Sequence, residues 1–260
     1  MSTTEFPVEL LSRIEDAGLN ASAPPQQRWV DGWLLRFSPG TAKRARCINA
    51  VAPGRLPLSE KLAQCQALYR AAGLRLIFRI TPFSQPLGLD GWLAEQGYPR
   101  FDDTQVMVGT TLPRQPAEPL PEGTRIESVD SEAYAHIIGE FRATDWCGRQ
   151  AHAERLKCSP VLYHGVVLRS ADGSALACGQ FALEADLVGL YDVFTAPALR
   201  GQGLSRTLCA ALLSQAREQG AGIAYLQVDT DNHAARAVYR RLGFADGYAY
   251  HYRARPGPDG

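Results

Sequence analysis

The chain has 260 residues, 45% of them hydrophobic and 21% charged, a balance that supports packed cores and argues against disorder. Lys plus Arg equals Asp plus Glu at 27 each, so no net field draws the protein to nucleic acid or to an anionic membrane, and recognition of small molecules or by local patches is favoured. The first thirty residues lack a basic stretch followed by an apolar core, and no run of ~18 apolar residues occurs, which predicts neither signal peptide nor membrane span and a cytoplasmic location. Six cysteines stand at positions 47, 65, 147, 158, 178 and 209 with no CxxC pair and no His at metal spacing, so we expect buried free thiols and no metal.

In chain order, the spacing predicts a helix over 59–72, a strand over 74–80 and a helix over 89–96, closed by Gly97-Tyr98. The stretch TLPRQPAEPLPEGT over 111–124 follows, where Pro113, Pro116, Pro119 and Pro121 block regular pairing. A boundary there divides the chain into an N-terminal domain 1–112, a linker 113–123 and a C-terminal domain 124–260. Beyond it the pattern predicts a strand over 125–129, a helix over 131–142, and strands over 161–170, 175–183 and 187–194. From Leu204 an apolar stripe recurs at Leu208, Ala211, Leu212 and Ala216 and stops at Gly220, which is a helix. A strand over 223–228, a helix over 232–242 capped by Gly243, and a strand over 248–252 complete the order.

The front half carries a fainter version of the same ending. Aligning Gly73 with Gly222 and Gly97 with Gly243 needs one three-residue insertion and sets Gly97-Tyr98 against Gly243-Phe244. We therefore expect an internal duplication.

The segment 193–205, VFTAPALRGQGLS, runs from a strand through a glycine-containing turn directly into an amphipathic helix. The first N–H groups of a helix have no intrahelical partner and carry the positive end of its dipole; Gly201 and Gly203 let phosphate oxygens approach, and Arg200 and Arg206 add charge. A P-loop is absent, and a dinucleotide fingerprint fails because Arg206 stands where its third glycine belongs.

RGQGLS over 200–205 resembles the acetyl-CoA signature [QR]xxGx[GA] of the GNAT N-acetyltransferase superfamily, with Ser205 in place of the final Gly or Ala. Asn232 at the start of the next helix, Tyr239 seven residues later and Gly243-Phe244 match the same family pattern. The resemblance implies a GNAT fold, a central mixed α/β sheet flanked by helices. With the internal duplication, it implies two tandem copies of which the first is degenerate. It further implies acetyl-CoA as acyl donor, transfer to a primary amine of a small molecule or peptide by direct attack, and no metal.

By that resemblance the backbone of Val193, Phe194 and Thr195 holds the pantetheine arm and polarises the thioester. Arg200, Gly201, Gln202, Gly203, Leu204, Ser205 and Arg206 cradle the phosphates, Asn232 contacts the pantetheine or orders nearby water, and Tyr239 acts as general acid toward the departing thiolate. Family members commonly carry a Glu five residues before the helix Asn, where this chain has Gln227, which is no base at neutral pH. Asp192, Glu184, Asp186 and His152 are the alternatives for the base. Cys209 lies among apolar neighbours and reads as packing.

In the front half the segment equivalent to the cradle is Pro53-Gly54-Arg55-Leu56-Pro57-Leu58, without the second glycine, and Leu93 stands at the Tyr position. This copy is not expected to bind cofactor but, as in mycothiol synthases and aminoacyl-transferring peptidoglycan enzymes, to help frame an acceptor groove between domains. Trp29, Trp33, Trp92 and Tyr98 read as core aromatics. Two other readings stay open: an acyl-CoA-binding pseudoenzyme, favoured by Gln227 and Ser205, and an acyl or aminoacyl transferase with a larger donor.

Overall fold

Helix α1 (Val8–Ala21) places Ile14, Ala17, Gly18 and Ala21 on one buried face at helical spacing. Then come β1 (Gln26–Val30), β2 (Trp33–Phe37), β3 (Ile48–Ala50), α2 (Leu58–Ala71), β4 (Phe78–Ile80), α3 (Leu89–Glu95) and β5 (Arg100–Gly109). The remaining elements are β6 (Thr124–Val129), α4 (Ser131–Phe141), α5 (Trp146–Lys157), β7 (Tyr163–Ser170), β8 (Ala175–Glu184), β9 (Leu187–Thr195), α6 (Leu204–Glu218), β10 (Ile223–Asp229), α7 (His233–Arg241) and β11 (Ala245–Arg253). This computed structural model describes residues 5–40, 42–113 and 120–256. Pro116 and Pro119 of the expected linker lie outside the described residues. No described helix is long and apolar enough to cross a membrane.

The chain folds as two compact units that interleave along the sequence. The first comprises 1–21, 106–228 and 232–247; the second comprises 22–105, 229–231 and 248–260. In this grouping α1 falls with the C-terminal half, and most of β11 falls with the front half. A ten-residue strand such as β5 spans about 33 Å, enough to pass from one unit into another without a turn signal.

In the first unit the strand order is β5-β10-β9-β8-β7-β6, antiparallel from β6 to β9 and parallel between β9 and β10. Its core gathers Leu168, Phe181, Val188, Leu208, Leu212, Leu226 and Phe244. In the second unit the order is β1-β2-β3-β4-β11, with β3 and β4 parallel around the α2 crossover. Trp33, Phe78 and Tyr98 interlock edge to face at its centre, with centroids 5.5 and 5.7 Å apart.

Several expectations are revised. Helix α5 falls in a segment whose apolar residues form no stripe, and it starts because Asp145 accepts a hydrogen bond from Gly148 N at 2.7 Å. The strand expected over 74–80 contracts to Phe78–Ile80. Trp33 and Tyr98 are core, but Trp29 is 59% exposed on β1. Four cysteines are buried, whereas Cys147 and Cys158, both on or beside the polar helix α5, are exposed.

Candidate active site

The site grows from a defect in β9. Its parallel ladder with β10 pairs Leu187–Leu190 with Ile223–Leu226 and goes no further, so Val193, Phe194 and Thr195 lie beyond the paired stretch. On the other edge the register with β8 slips between Cys178 and Gln180, a bulge that puts Asp192 at φ +50°. Gly179 opposite the bulge is required for space: a Cβ there would meet Leu212 of α6 at 2.9 Å and Val193 at 3.3 Å. Thr195 Oγ1 is buried with no hydrogen-bond partner among the described residues.

After β9 a 3₁₀ turn over Pro197–Leu199 leads through Arg200 to Gly201 at φ +81° and Gly203 at φ +79°, the N-cap of α6. Both glycines occupy the left-handed region that side chains disfavour. A Cβ at either would meet nothing within 4 Å, so the ground ahead of the helix start is open. Thr207 N donates to Gly203 O at 3.1 Å, which sets the first turn of α6 directly after the glycines. The Arg200 guanidinium lies 5.4 Å from the Phe194 ring centroid, and Phe194 stacks on Phe141.

The equivalent place in the second unit is filled from within. The Asp31 carboxylate accepts hydrogen bonds from Arg55 N and Leu56 N at 2.8 Å, and the fully buried Lys61 Nζ sits 3.0 Å from it. Lys61 also donates to the carbonyls of Asp31 and Pro53 at 2.8 and 2.7 Å. A Cβ on Gly54 would collide with both Asp31 and Lys61. The backbone N–H groups of Leu56 and Arg55 hold the Asp31 carboxyl down at about 2 against the upward push of burial, so the plug is permanently anionic.

Tyr239 on α7 is 8% exposed and meets Phe244 edge-on at 6.0 Å. Burial pushes its phenol well above its ordinary range, with the nearby Cys209 adding to this, and the hydroxyl makes no hydrogen bond among the described residues. A phenol in that state keeps its proton until a stronger base is presented to it. Asn232 Oδ1 accepts from Ala235 N at 3.1 Å, so its side chain caps α7 and sets where Tyr239 stands two turns later. The Cys209 thiol is pushed up to about 12 by burial, with the Ser205 hydroxyl bonded to it pulling the other way. Ser205 thus faces the core side of α6, and Cys209 is packing rather than a nucleophile.

The four alternatives for a base separate sharply. Glu184 and Asp186 sit at the β8–β9 hairpin, where they bind Asn20 and Arg13 of α1 respectively; Asp186 is nine residues, about 30 Å of extended strand, from Thr195, and Glu184 pairs with Leu187 at the same end. They are too far to serve. Gln227 packs against α1, its amide 3.1 Å from where a Cβ on Gly18 would stand. Asp192 is saturated: Oδ1 lies 3.0 Å from Arg142 Nη1, Oδ2 accepts from Gln180 Nε2 at 2.9 Å, and His152 Nε2 lies 3.4 Å away. Burial alone would raise its pKa, but His152, Arg142 and Arg155 together drive it far below the usual carboxylate range. A carboxylate so stabilised is a poor proton acceptor.

Tyr134 donates to the Asp192 carbonyl at 2.9 Å, completing a shell that sequence reasoning missed. Only Gln180, a polar residue in the apolar run of β8, carried a signal comparable to Asp192 itself.

Residues 131–244 match the profile of the Acetyltransferase (GNAT) family. The chain is 27% identical over 237 residues to the uncharacterised N-acetyltransferase YobR of Bacillus subtilis, covering 88% of this chain and 92% of that one. It is 47% identical over 57 residues to the N-alpha-acetyltransferase RimI of Mycobacterium tuberculosis, spanning 21% of this chain and about a third (34%) of that relative. Its fold is shared with a GCN5-related N-acetyltransferase from Kribbella flavida, at a TM-score of 0.70, 21% identity and 95% of both chains. A tandem GNAT protein from the clavulanic acid biosynthesis pathway superposes at 0.62 with 16% identity, over 77% of this chain and 70% of that one.

Proposed function

We propose that the protein, whose residues 131–244 match the profile of the Acetyltransferase (GNAT) family, transfers acetyl from acetyl-CoA to a primary amine of a small molecule or peptide. The observation that carries this is the contrast between two helix starts. Ahead of Gly201 and Gly203 a Cβ would find open space, while at Gly54 it would strike the Asp31–Lys61 plug. An anion therefore has a vacant backbone cradle at α6 and none at α2. We accordingly read the second unit as a degenerate copy that holds no cofactor.

In this reading the N–H groups at the start of α6, from Leu204 to Arg206, take the pyrophosphate, with Arg200 and Gln202 at its flank. The backbone of Val193, Phe194 and Thr195, beyond the β9–β10 ladder, aligns the pantetheine arm, and the unpartnered Thr195 hydroxyl gains a partner there. Acetyl-CoA, when bound, supplies the acetyl group as an activated thioester. Backbone donors of β9 that need no reorganisation favour the developing oxyanion, a contribution of roughly 3–4 kcal/mol per donor in comparable sites. Tyr239 delivers its proton to the sulfur side, and Asn232 keeps α7 in the register that brings Tyr239 there.

The test is isothermal titration of acetyl-CoA into the wild type and into Arg200→Ala/Gly203→Glu. Binding by the wild type alone is expected; absence of binding by both folded proteins overturns the reading. Gln227, turned to α1 at the position where the family resemblance leads one to expect a Glu, favours a second reading in which the cradle binds acyl-CoA without turnover. Release of CoA thiol in the presence of any member of a broad primary-amine panel would eliminate it.

A further inference from the structure

An amine attacks only as its free base, and a lysine-like amine with pKa ~10.4 is almost wholly protonated at neutral pH, so some group must take a proton. Of the carboxylates considered above, two are remote and Asp192 is saturated. What Asp192 does hold is a histidine. His152 comes from α5, the helix that local periodicity did not reveal, and its side chain is 18% exposed. Its Nε2 is fully buried and makes no hydrogen bond among the described residues, while Asp192 Oδ2 lies 3.4 Å from it.

We propose that His152 is the proton acceptor for the attacking amine, with Asp192 as its positioning residue. Closing that 3.4 Å gap when substrate binds gives the buried Nε2–H its acceptor in Asp192, which leaves the lone pair on Nδ1 free to take a proton. The pair resembles in logic any base oriented by a buried acid: the acid stays ionised and fixes the ring. The bulge in β9 makes this possible. By forcing Asp192 to φ +50° it turns one side chain out of strand alternation, to where Arg142 of the α4 end, Gln180 of β8 and His152 of α5 meet it. Other charged or titratable groups on these elements include Arg149, Glu154 and Arg155 of α5, Tyr134 of α4 and Cys178 of β8. Arg142 and Arg155 help to keep Asp192 charged beside the ring.

The step balances as follows. The amine nitrogen forms a bond to the acetyl carbon, the carbon–sulfur bond breaks with its electron pair leaving on sulfur, the ammonium proton passes to His152 Nδ1, and the thiolate takes a proton from Tyr239. This inference rests on the acetyl-transfer reading, so it needs a measurement that does not depend on turnover. In full-length protein with ¹⁵N-labelled histidine, assigned by loss of a signal in His152→Gln, His152 is expected as the Nε2–H tautomer above its pKa. Asp192→Asn should mix the tautomers. An Nδ1–H tautomer, or a tautomer ratio unmoved by Asp192→Asn, overturns the proposal.

The kinetic arm takes the amine acetylated fastest among amino acids, spermidine, tryptamine, kanamycin and alanyl or seryl tetrapeptides. His152→Gln is expected to keep acetyl-CoA affinity by titration calorimetry and to lose roughly 10²-fold in kcat with the acid limb of the pH profile. Free imidazole is expected to restore part of the rate to His152→Ala. Unchanged kcat and an unchanged acid limb in His152→Gln refute the role while leaving acetyl transfer intact. Failure of the wild type to bind acetyl-CoA refutes the function itself.

Discussion

Replacing Gly203 with Ala adds one methyl group at the mouth of the cradle and tests the placement of the anion directly. At φ +79° an L residue costs about 1–2 kcal/mol, and since a Cβ there meets nothing within 4 Å no steric cost is added. For a protein of this size that corresponds to a fall in melting temperature of roughly 2–4 °C per kcal/mol. Binding should suffer more. The methyl stands where a phosphate oxygen must reach the first N–H groups of α6, and charge-assisted hydrogen bonds of this kind contribute about 1.5–3 kcal/mol each. Losing one weakens acetyl-CoA by roughly 10- to 150-fold, read by titration calorimetry. Gly173, at φ +89° in the β7–β8 hairpin and equally free of neighbours, is the control: its Ala variant should pay the same backbone cost and bind normally. Wild-type affinity in Gly203→Ala, with the expected drop in melting temperature, would refute the anion's position.

Tyr239→Phe should lower kcat by about 10²-fold with acetyl-CoA affinity unchanged, and should leave the melting temperature within a degree or so, because the phenol makes no hydrogen bond that is lost. In the second unit the Arg253 guanidinium, 2.5 Å away, holds the Asp90 carboxyl at about 2 against burial and with help from His251. Its folded pKa lies below the ordinary 3.8, so its contribution is complete above that pH and fades as pH falls toward 2. With Asp90 41% exposed, solvent screening reduces this to about 1 kcal/mol. Acid melts of Asp90→Asn should therefore lie below wild type at pH 6 and converge with it near pH 2. Thiol titration of the native protein should count two reactive cysteines, with Cys158 slower than Cys147 because the Glu154 carboxylate bonded to its thiol raises its pKa; four or more rapid thiols would contradict the burial pattern.

The elements around the cradle were legible because their signals are local. The stripe from Leu204 to Ala216, the glycines at 201 and 203, and the Asn232-to-Phe244 spacing each lie within one helix or one turn, where 3.6-residue periodicity and left-handed backbone leave a mark in consecutive letters. From them the chain's own sequence determined the mixed α/β class, the glycine-led start of α6 and the position of Tyr239 on α7. What lay beyond it depends on residues far apart in the chain. Asp31 enters the Gly54 turn from 23 positions away, α1 joins the C-terminal half, β11 pairs with β4, and Asp192 is neutralised by Arg142 and approached by His152. A cradle's occupancy and a carboxylate's charge state are set by which side chains arrive in three dimensions. Only the tertiary structure decides that the first helix start is closed by the protein's own anion and the second is left open.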